Sequence, residues 1–327
     1  MSEHVIKILQ YNLFLRPYFI ECPRSGDYKD LRERIFIEKI LTPNTYDIIF
    51  LQEVFDGPQI SDYIFNHRKR NILNAAVAHG YHICGHGPNT RIWHCKLSDG
   101  GCVILSKYQP LELNNHIFST SCNVDALAAK GVLHALLKIS DDFVIDVFCT
   151  HLQSSYVYNS SRQTRHTQQT QLTELHDFVR RCINDRDTAI IGGDLNVDSL
   201  QRSFNTEYDD MLEIIKGTYF DRVRDFVMES CGENSTTTIP YKWDLRTGRE
   251  IIDDTLLISS NVEYDRETEF MQERRLDYIL ALETRDISSV EHKMTRIEKF
   301  SMADFDEKND IEYLSDHYGI VSEITIK

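Results

Sequence analysis

The sequence contains no apolar run that approaches the length needed to cross a bilayer, which is about 20 residues for a helix. A strand-like run begins almost at the first residue, at positions 5–9, so we expect no signal peptide in this chain. Neither absence decides the compartment, since secreted and cytoplasmic proteins both fit them. We therefore expect a protein without a transmembrane segment and leave its localisation open.

Cysteine is present but lacks metal-binding spacing. The eight cysteines include no CxxC pair and no Cys/His spacing that is typical of zinc, so we expect no zinc site. Cys102 and Cys149 lie in apolar strand-like runs and are expected to be buried thiols. The other cysteines could form disulfides if the protein is exported.

Positive charge is also scarce. The chain has 36 basic and 51 acidic residues, which gives a formal net charge of -15. Such a molecule has no general attraction to polyanions, so nucleic acid is disfavoured as a substrate. The effect is weak, because a metal ion that bridges protein and phosphate reverses the local field.

The composition that remains is typical of a folded protein. Apolar residues make up 41% of the chain and charged residues 27%, and we find no repeat, low-complexity tract or linker. Sandwich enzymes reach this length as one unit, so we expect residues 1–327 to form a single domain and the protein to be a monomer. The polar span 229–270 is the least regular part and is expected to be an insertion or long loops that carry specificity rather than chemistry.

Short apolar runs bounded by turn residues predict strands at positions 5–11, 48–51, 102–106, 132–139, 143–149, 189–191, 276–280 and 318–326. Apolar residues at three- and four-residue steps predict helices over 31–41 and 162–183. Ser140, Asp141 and Asp142 separate two of the strand-like runs and fit a hairpin turn. The pattern predicts an α+β protein with two packed, mainly antiparallel sheets flanked by helices.

Polar residues lie where the predicted strands end or begin. They are Asn12, Glu53, His151, Asp194, Asn196, Asp316 and His317. Side chains at successive strand ends can converge on one rim of a sandwich. Glu53 is our candidate metal ligand, because a hard cation such as Mg²⁺ favours one or two carboxylates and leaves its other positions to water and phosphate.

The segment GGDLN at 192–196 places two glycines before an acid and an amide. We expect Asp194 and Asn196 to face one side while the glycines leave room for a ligand, although a glycine-rich turn capped by aspartate has the same pattern.

Asp316 and His317 form the pair expected when a carboxylate orients an imidazole that takes a proton from water. Adjacent side chains on a strand point in opposite directions, so Asp316 reaches the imidazole only if the backbone turns. His151 is a candidate donor to a phosphate oxygen.

These residues lie in segments that resemble the endonuclease/exonuclease/phosphatase superfamily, which has a DNase I-like four-layer α/β sandwich. The segments are Asn12, LQEV (51–54), THLQS (150–154), GGDLN (192–196) and LSDH (314–317). Three more resemble neutral sphingomyelinases: DGGCVILS (99–106), KGVL (130–133) and RLDYIL (275–280). The resemblance spans nearly the whole chain.

The resemblance implies a Mg²⁺-dependent hydrolysis of sphingomyelin to ceramide and phosphocholine, with Mn²⁺ or Co²⁺ as possible substitutes. Glu53 would hold the metal, with Asn12 as a ligand or positioning group. Asp194 and Asn196 would contact metal-bound water, phosphate or the leaving oxygen, with Asp194 also a metal ligand.

By the same resemblance, His151 would stabilise charge on the phosphoryl oxygens. His317, oriented by Asp316, would activate water for in-line attack on phosphorus. The ceramide oxygen would leave with a proton from Asp194 or metal-bound water.

Four further residues are candidates for substrate binding. Asp125 and Lys130 have the spacing of an acid–lysine pair that forms an activation switch in animal members, although Lys130 also fits a solvated lysine before a strand. Tyr156 and Tyr158 are candidates for the choline group, because aromatic faces bind quaternary ammonium ions.

The chain departs from its bacterial relatives in one segment. Those relatives carry an exposed apolar hairpin for membrane contact, whereas the corresponding residues 300–314 are acidic here, with Phe300, Met302 and Phe305 as candidate anchors. Peripheral contact with sphingomyelin-containing membranes is still expected.

Two rival functions remain open. A nuclease of the same fold would carry a basic strip beside the site, and the short basic runs at 68–70 and 180–181 do not form one. An inactive scaffold would be expected to lose at least one of Glu53, Asp194, Asn196 or His317, and all are present.

Overall fold

The structure is a computed structural model that describes residues 4–16, 28–55, 67–86, 96, 98–155, 161–184, 186–201, 206–244, 267, 269–284, 290–301 and 312–326. Tyr156, Tyr158, Met302 and Phe305 lie outside the described residues. The cysteines within them are free thiols, and Cys102 and Cys149 are buried as predicted.

The described strands are numbered in chain order. They are β1 (His4–Leu15), β2 (Ile48–Val54), β3 (His82–His86), β4 (Ser98–Asp99), β5 (Val103–Ser106), β6 (Gln109–Ile117), β7 (Ala128–Ala129), β8 (Gly131–Lys138), β9 (Val144–His151), β10 (Thr188–Asp194), β11 (Arg222–Asp225), β12 (Tyr241–Asp244), β13 (Glu269–Gln272), β14 (Asp277–Glu283), β15 (Val290–Glu298) and β16 (Gly319–Ile326).

The described α-helices are α1 (Lys29–Ile35), α2 (His67–Ala78), α3 (Arg162–Ile183), α4 (Glu207–Lys216) and α5 (Phe226–Cys231). A π-helical segment, Phe36–Leu41, continues α1, and short 3₁₀ segments occur at Asn123–Leu127 and Ser199–Gln201. None of the helices in the described ranges has both the length and the apolar character needed to cross a bilayer.

Two six-stranded sheets form the centre of the fold. One has the order β15-β16-β1-β2-β5-β3 and the other β11-β14-β10-β9-β8-β6. Each contains one parallel pair, β1 with β2 and β9 with β10, and its other pairs are antiparallel. The predicted hairpin is confirmed, since β8 and β9 pair and Ser140 N donates to Phe143 O.

Alternation along the strands builds the layers. In β1, Ile6 and Ile8 enter a core between the two sheets, whereas Leu9 and Tyr11 enter a second core under α1, the π-helical segment and α2. A third core lies between the other sheet and helices α3 and α4. The order is helices, sheet, sheet, helices, so the predicted two-sheet sandwich flanked by helices is confirmed.

The long helix α3 shows how the sequence sets its ends. Ser161 Oγ accepts from Thr164 N at the N-terminus, and Asn184 takes a left-handed conformation at the C-terminus. The predicted bounds 162–183 are confirmed. The predicted helix over 31–41 is confirmed as helical, but it begins at Lys29 and changes to a π-helix at Phe36.

Gly192 packs against the ring of Phe50 in the opposite sheet. A Cβ atom built on this residue would lie 2.1 Å from Cδ2 of Phe50, which belongs to the opposite sheet. The expectation that this glycine leaves room for a ligand was therefore wrong, because the space beside it is filled by the Phe50 ring.

We predict that Gly192→Ala lowers the free energy of unfolding by roughly 1–3 kcal/mol, the usual effect of overpacking a core. The clash is with one ring, so Phe50→Val should relieve part of it. Urea unfolding of the wild type, both single variants and the double variant measures this. Full additivity of the two single effects would contradict the contact.

Candidate active site

The inter-sheet face changes from apolar to polar at one edge of the sandwich. Along β1, the core residues Ile6 and Ile8 are followed at the same two-residue spacing by Gln10 and Asn12, both fully buried. On three other strands the face that points into the core also changes from apolar to polar at this edge. The polar residue is His151 on β9, Asp194 on β10 and Asp277 on β14. The polar site is thus a continuation of the core.

Strand direction explains why these groups meet. The parallel pairs β1–β2 and β9–β10 end at this edge, and they bring Asn12, Glu53, His151 and Asp194 to it. Strands β14 and β16 run antiparallel to their neighbours and begin there. Asp277, the first residue of β14, pairs directly with Asp194 in the sheet register.

Glu53 enters the site through a break in alternation. Gln52 points inward, where its Nε2 lies 3.3 Å from Cys149 Sγ, so regular pleating would turn the next side chain away. Glu53 instead has a left-handed backbone with φ 58°. That conformation costs on the order of 1–3 kcal/mol for a residue other than glycine. It allows the carboxylate to approach Asn12.

The Asn12 amide lies between the other groups. Its Nδ2 is 3.2 Å from Glu53 Oε1, 3.1 Å from Asp194 Oδ2 and 3.4 Å from His317 Nε2. Its Oδ1 accepts from Phe14 N at 3.1 Å. Asn12 was expected to act as a metal ligand or as a positioning group. In this orientation its Nδ2 donates to the carboxylates and its Oδ1 accepts from a backbone N–H, which fits a positioning group.

The carboxylate that contacts the His317 imidazole is Asp277. Asp277 Oδ2 lies 2.8 Å from His317 Nδ1, and Asp277 Oδ1 accepts from Gln10 Nε2 at 2.9 Å. Asp316, the partner expected from the sequence, instead has Oδ1 3.2 Å from Ser315 Oγ, although it lines the same cavity. The expected orienting contact was wrong, because Asp277 occupies Nδ1 of His317 and Asp316 contacts Ser315 instead.

Sequence reasoning noted the segment around Asp277 but missed it as a site residue. A signal was present, since Asp277 continues the inward-facing series of Ile279 and Ala281 and replaces an apolar residue with an acid. An acid that ends a buried face needs a partner, and an imidazole supplies one.

The clustered charges shift the pKa values of the site. Burial raises the pKa of Asp194 to about 7, although the nearby His317 opposes the shift. Burial and the charge of Asp316 raise the pKa of Glu53. For His317, burial acts to lower the pKa, but the carboxylates of Asp277, Asp316 and Asp194 raise it well above its usual value.

Asn196 supports the Asp194 side of the site. It has a left-handed backbone with φ 54°, and its N–H donates to Asp194 Oδ1 at 3.0 Å. Its side chain donates to Leu152 O at 3.2 Å. Asp194 and Asn196 both line the cavity. They face it because the backbone turns at Asn196, and not because side chains alternate along a strand.

His151 reaches the cavity through Asp194. His151 Nε2 lies 3.5 Å from Asp194 Oδ2 and 3.1 Å from Lys130 Nζ. Burial, followed by the charges of Lys130 and His317, lowers the pKa of His151 well below its usual value, so the ring is neutral. In this arrangement Nε2 accepts from Lys130.

Lys130 and Asp125 form a buried ion pair. Lys130 Nζ lies 2.8 Å from Asp125 Oδ2 and donates to Leu152 O at 2.9 Å. The same Asp125 oxygen accepts from Ser154 N at 2.8 Å. Lys130 is 3% exposed, so the alternative of a solvated lysine was wrong. Whether the pair is a switch stays a prediction.

A cavity of about 130 Å³ opens onto these groups. Besides the predicted residues, its lining includes Arg16, Arg274 and Tyr241. The Tyr241 hydroxyl lies 3.4 Å from His317 Nε2, and Arg274 lies over the Tyr241 ring at 6.0 Å. Sequence reasoning missed all three: Arg16 follows β1, Arg274 lies between β13 and β14, and Tyr241 begins β12, a short strand that the sequence pattern did not predict. The two arginines bring positive charge to a cavity that is also lined by the acids Glu53, Asp194 and Asp316.

The residues present fit a hard divalent cation. Glu53 Oε2 is buried and accepts no hydrogen bond from the described residues. Asp194, Asp277 and His317 place ligand-type atoms within 4.8 Å of one another, but both oxygens of Asp277 are engaged by Gln10 and His317. Glu53 Oε2 is therefore the oxygen that would hold the ion directly, whereas Asp194, whose oxygens accept from Asn12 Nδ2 and Asn196 N, would join it by exchanging the Asn12 contact.

We predict that Asp277→Asn lowers the pKa of His317 more than Asp316→Asn does, because each substitution removes a negative charge and only Asp277 is in direct contact. The measurement is an NMR titration of the histidine ring protons in the presence of EDTA. The two variants change the same charge, so Asp316→Asn is the matched control. A larger shift in Asp316→Asn would assign the orienting contact to Asp316.

The chain is similar to curated proteins named as sphingomyelinases. It is 25% identical to Sphingomyelinase C of Bacillus cereus over 295 residues, which cover 86% of this chain and 78% of that protein. It is 26% identical to a Dictyostelium discoideum sphingomyelinase over 274 residues, which cover 72% of this chain and 57% of that protein.

Solved structures with low sequence identity share the fold. The beta toxin of Staphylococcus aureus superposes with a TM-score of 0.66 at 22% identity, over 97% of this chain and 99% of that one. A mutant of that toxin has been solved with bound magnesium ions, at a TM-score of 0.60. TDP2 of D. rerio, solved with a single-strand DNA product, superposes at 0.58 with 15% identity over 98% of each chain.

These neighbours establish the architecture as the DNase I-like four-layer sandwich. The Endonuclease/Exonuclease/phosphatase family matches residues 9–317, a range that takes in all the polar groups gathered at this edge. The chain therefore belongs to the Endonuclease/Exonuclease/phosphatase family.

Proposed function

We propose that this protein is a divalent-cation-dependent phosphodiesterase that hydrolyses sphingomyelin to ceramide and phosphocholine. The observation that carries the proposal is the pairing, in one cavity, of an imidazole held by a carboxylate with a second set of carboxylates suited to a cation. The choice of sphingomyelin rests on the relatives named as sphingomyelinases, which are about a quarter identical to this chain.

His317 is the proposed general base. Asp277 holds Nδ1 and so fixes the tautomer in which Nε2 has a free lone pair on the cavity side. Asn12 Nδ2 and the Tyr241 hydroxyl, each 3.4 Å from Nε2, bound the space in front of it. A water in that space would lose a proton to Nε2 as its oxygen attacks phosphorus.

Asp194 and Asn196 are proposed to act on the departing side. Without a cation, burial raises the pKa of the Asp194 carboxyl to about 7, whereas a bound cation would keep the carboxyl ionised. Asp194 is therefore proposed to orient a water that gives its proton to the leaving oxygen of ceramide. Asn196 fixes the carboxyl through its backbone N–H. Arg16 and Arg274 are proposed to hold the non-bridging phosphate oxygens, since guanidinium groups match phosphate geometry.

Magnesium is the proposed cofactor, held by Glu53 and Asp194 and replaceable by Mn²⁺ or Co²⁺. When bound, a divalent cation supplies positive charge that stabilises the carboxylates and the charge developing on phosphate. A bound cation would also lower the pKa of His317, the proposed base. The neighbouring carboxylates raise that pKa, so a cation that neutralises them would leave Nε2 free to accept a proton.

Cleavage of a nucleic acid is the second candidate, and the likeness to TDP2 with a DNA product favours it. The net charge of -15 opposes it.

Of the predicted substrate-binding residues, Asp125 and Lys130 are linked to the cavity through Ser154. Tyr156 and Tyr158 lie outside the described residues, so their role stays a prediction.

We expect phosphocholine release from sphingomyelin in mixed micelles at neutral pH with Mg²⁺, loss of release in EDTA and no cleavage of plasmid DNA under the same conditions. Glu53→Gln keeps the shape but removes the charge that holds the ion, so its activity should fall by at least about 100-fold. DNA cleavage without lipid turnover would preserve the metal site and overturn the substrate.

His317→Ala should lower kcat by roughly 100- to 10,000-fold, the contribution typical of a general base. Its folding, followed by circular dichroism, should change little. His82→Ala is the matched control, since His82 is an exposed histidine at the edge of the same sheet. Full activity in His317→Ala would remove this residue from the mechanism.

A further inference from the structure

Exposed apolar side chains are concentrated in one segment. Among the described residues, eight large hydrophobic side chains are at least 40% exposed, and five of these lie between positions 111 and 127. The five are Leu111, Leu113, Ile117, Val124 and Leu127. Single exposed apolar residues are common on protein surfaces, but a run of them marks an interaction surface.

Three of these residues, Ile117, Val124 and Leu127, form what we call the rim patch. Strand β6 lies at the edge of its sheet and runs in the same direction as β9, since both are antiparallel to β8. Its last residue, Ile117, is therefore at the active-site edge. The chain leaves the sheet there, forms the 3₁₀ segment Asn123–Leu127, and returns at Gly131.

The sheet register explains why β6 is apolar and yet exposed. Leu113 pairs with Ala135, a member of the inter-sheet core, so it lies on the inter-sheet face. Ile117 lies four residues further along β6 and shares that face. Leu113 is 50% exposed and Ile117 41%, so the other sheet covers this face of the edge strand only in part.

The rim patch is tied to the cavity by short contacts. Asp125, which lies between Val124 and Leu127, accepts from Ser154 N at 2.8 Å, and Ser154 lines the cavity. Cys122 N donates to Gln153 Oε1 at 2.8 Å, one residue before Ser154. A surface in contact with the rim patch would therefore meet the mouth of the cavity.

The charge around the rim patch suits a neutral surface. Residues 113–129 contain one Asp, Glu, Lys or Arg, which is Asp125, whereas 27% of the whole chain is charged. Asp125 is buried and paired with Lys130. Lys96 donates to Ala126 O at 3.0 Å and so brings one positive charge to the patch, where a lipid phosphate would meet it. Most other surfaces of a chain with net charge -15 would be repelled by anionic lipid.

We propose that the rim patch of Ile117, Val124 and Leu127 contacts the surface of a zwitterionic bilayer and seats the cavity mouth against the lipid. The proposal rests on the proposed function, because it takes the substrate to be a lipid in a membrane. The apolar side chains enter the boundary between headgroups and acyl chains, while Lys96 meets phosphate.

The test is sedimentation of the protein with vesicles of phosphatidylcholine and sphingomyelin. Val124→Ser combined with Leu127→Ser should lower the partition coefficient by about tenfold or more, because two apolar contacts are lost. The matched control combines Val77→Ser with Met294→Ser, since these side chains are 55% and 41% exposed on α2 and β15, outside the rim patch. The control should bind as the wild type does.

Hydrolysis of the water-soluble diester 4-nitrophenyl phosphocholine separates docking from chemistry. The rim variant should keep this activity within about twofold while losing vesicle binding, and binding by the wild type should persist in high salt, because apolar contacts are not screened. A wild type that binds vesicles but cleaves neither substrate would overturn the proposed function and leave the docking surface intact.

Three outcomes overturn the docking proposal: equal vesicle binding by wild type and rim variant, an equal loss in the Val77/Met294 control, or release by salt alone. Sedimentation velocity tests whether the rim patch binds a second copy of the chain instead of lipid. If the wild type is a dimer, the rim variant a monomer, and vesicle binding the same in both, the patch binds a second copy of the chain instead of lipid.

Discussion

The acids packed into the polar end of the inter-sheet space impose the constraint on which the site depends. Glu53, Asp194, Asp277 and Asp316 all lie at this edge, and burial raises the pKa of the first two. Like charges in a poorly hydrated volume are tolerated only when donors or cations compensate them. The Asn12 amide and the His317 imidazole meet part of that requirement, and a divalent cation would meet the rest.

The same constraint explains the division of roles among the acids. Asp277 has both oxygens occupied, so it behaves as a fixed part of the scaffold that orients His317. Glu53 has one oxygen without a partner among the described residues, and its backbone is held in a left-handed conformation. Strain of this kind persists only where the surroundings impose it, and here rigid strands on both sides do so.

Much of the fold and part of the site follow from local sequence patterns. Apolar runs gave the positions of most central strands, and the polar residues that end those runs, such as Asn12 and Asp194, do meet at one edge. Edge strands such as β6 and β15 were missed, because half of their residues face solvent and their apolar pattern is weak.

The remaining errors concern contacts between distant segments. Asp316 is next to His317 in sequence, but Asp277, 40 positions away, is next to it in space. Gly192 resembles a phosphate-binding glycine until Phe50 of the other sheet is seen against it. Tyr241 lies in a span without periodicity, so no local signal could place it beside His317. Each of these cases depends on how separate sheets pack against one another, which local patterns in a single sequence do not specify.

The pairing of β1 with β16 has a consequence for synthesis on the ribosome. Residues that meet in the site, Asn12 and His317, are separated by nearly the whole chain, and β16 lies between β1 and β15 in its sheet. At about 5–20 residues per second, β1 must wait roughly 15–60 s for its partner strand to be translated. During that time one edge of β1 is open to wrong pairing, and the nascent protein cannot yet assemble its site. The residues of the site therefore come together only after β16 has been translated.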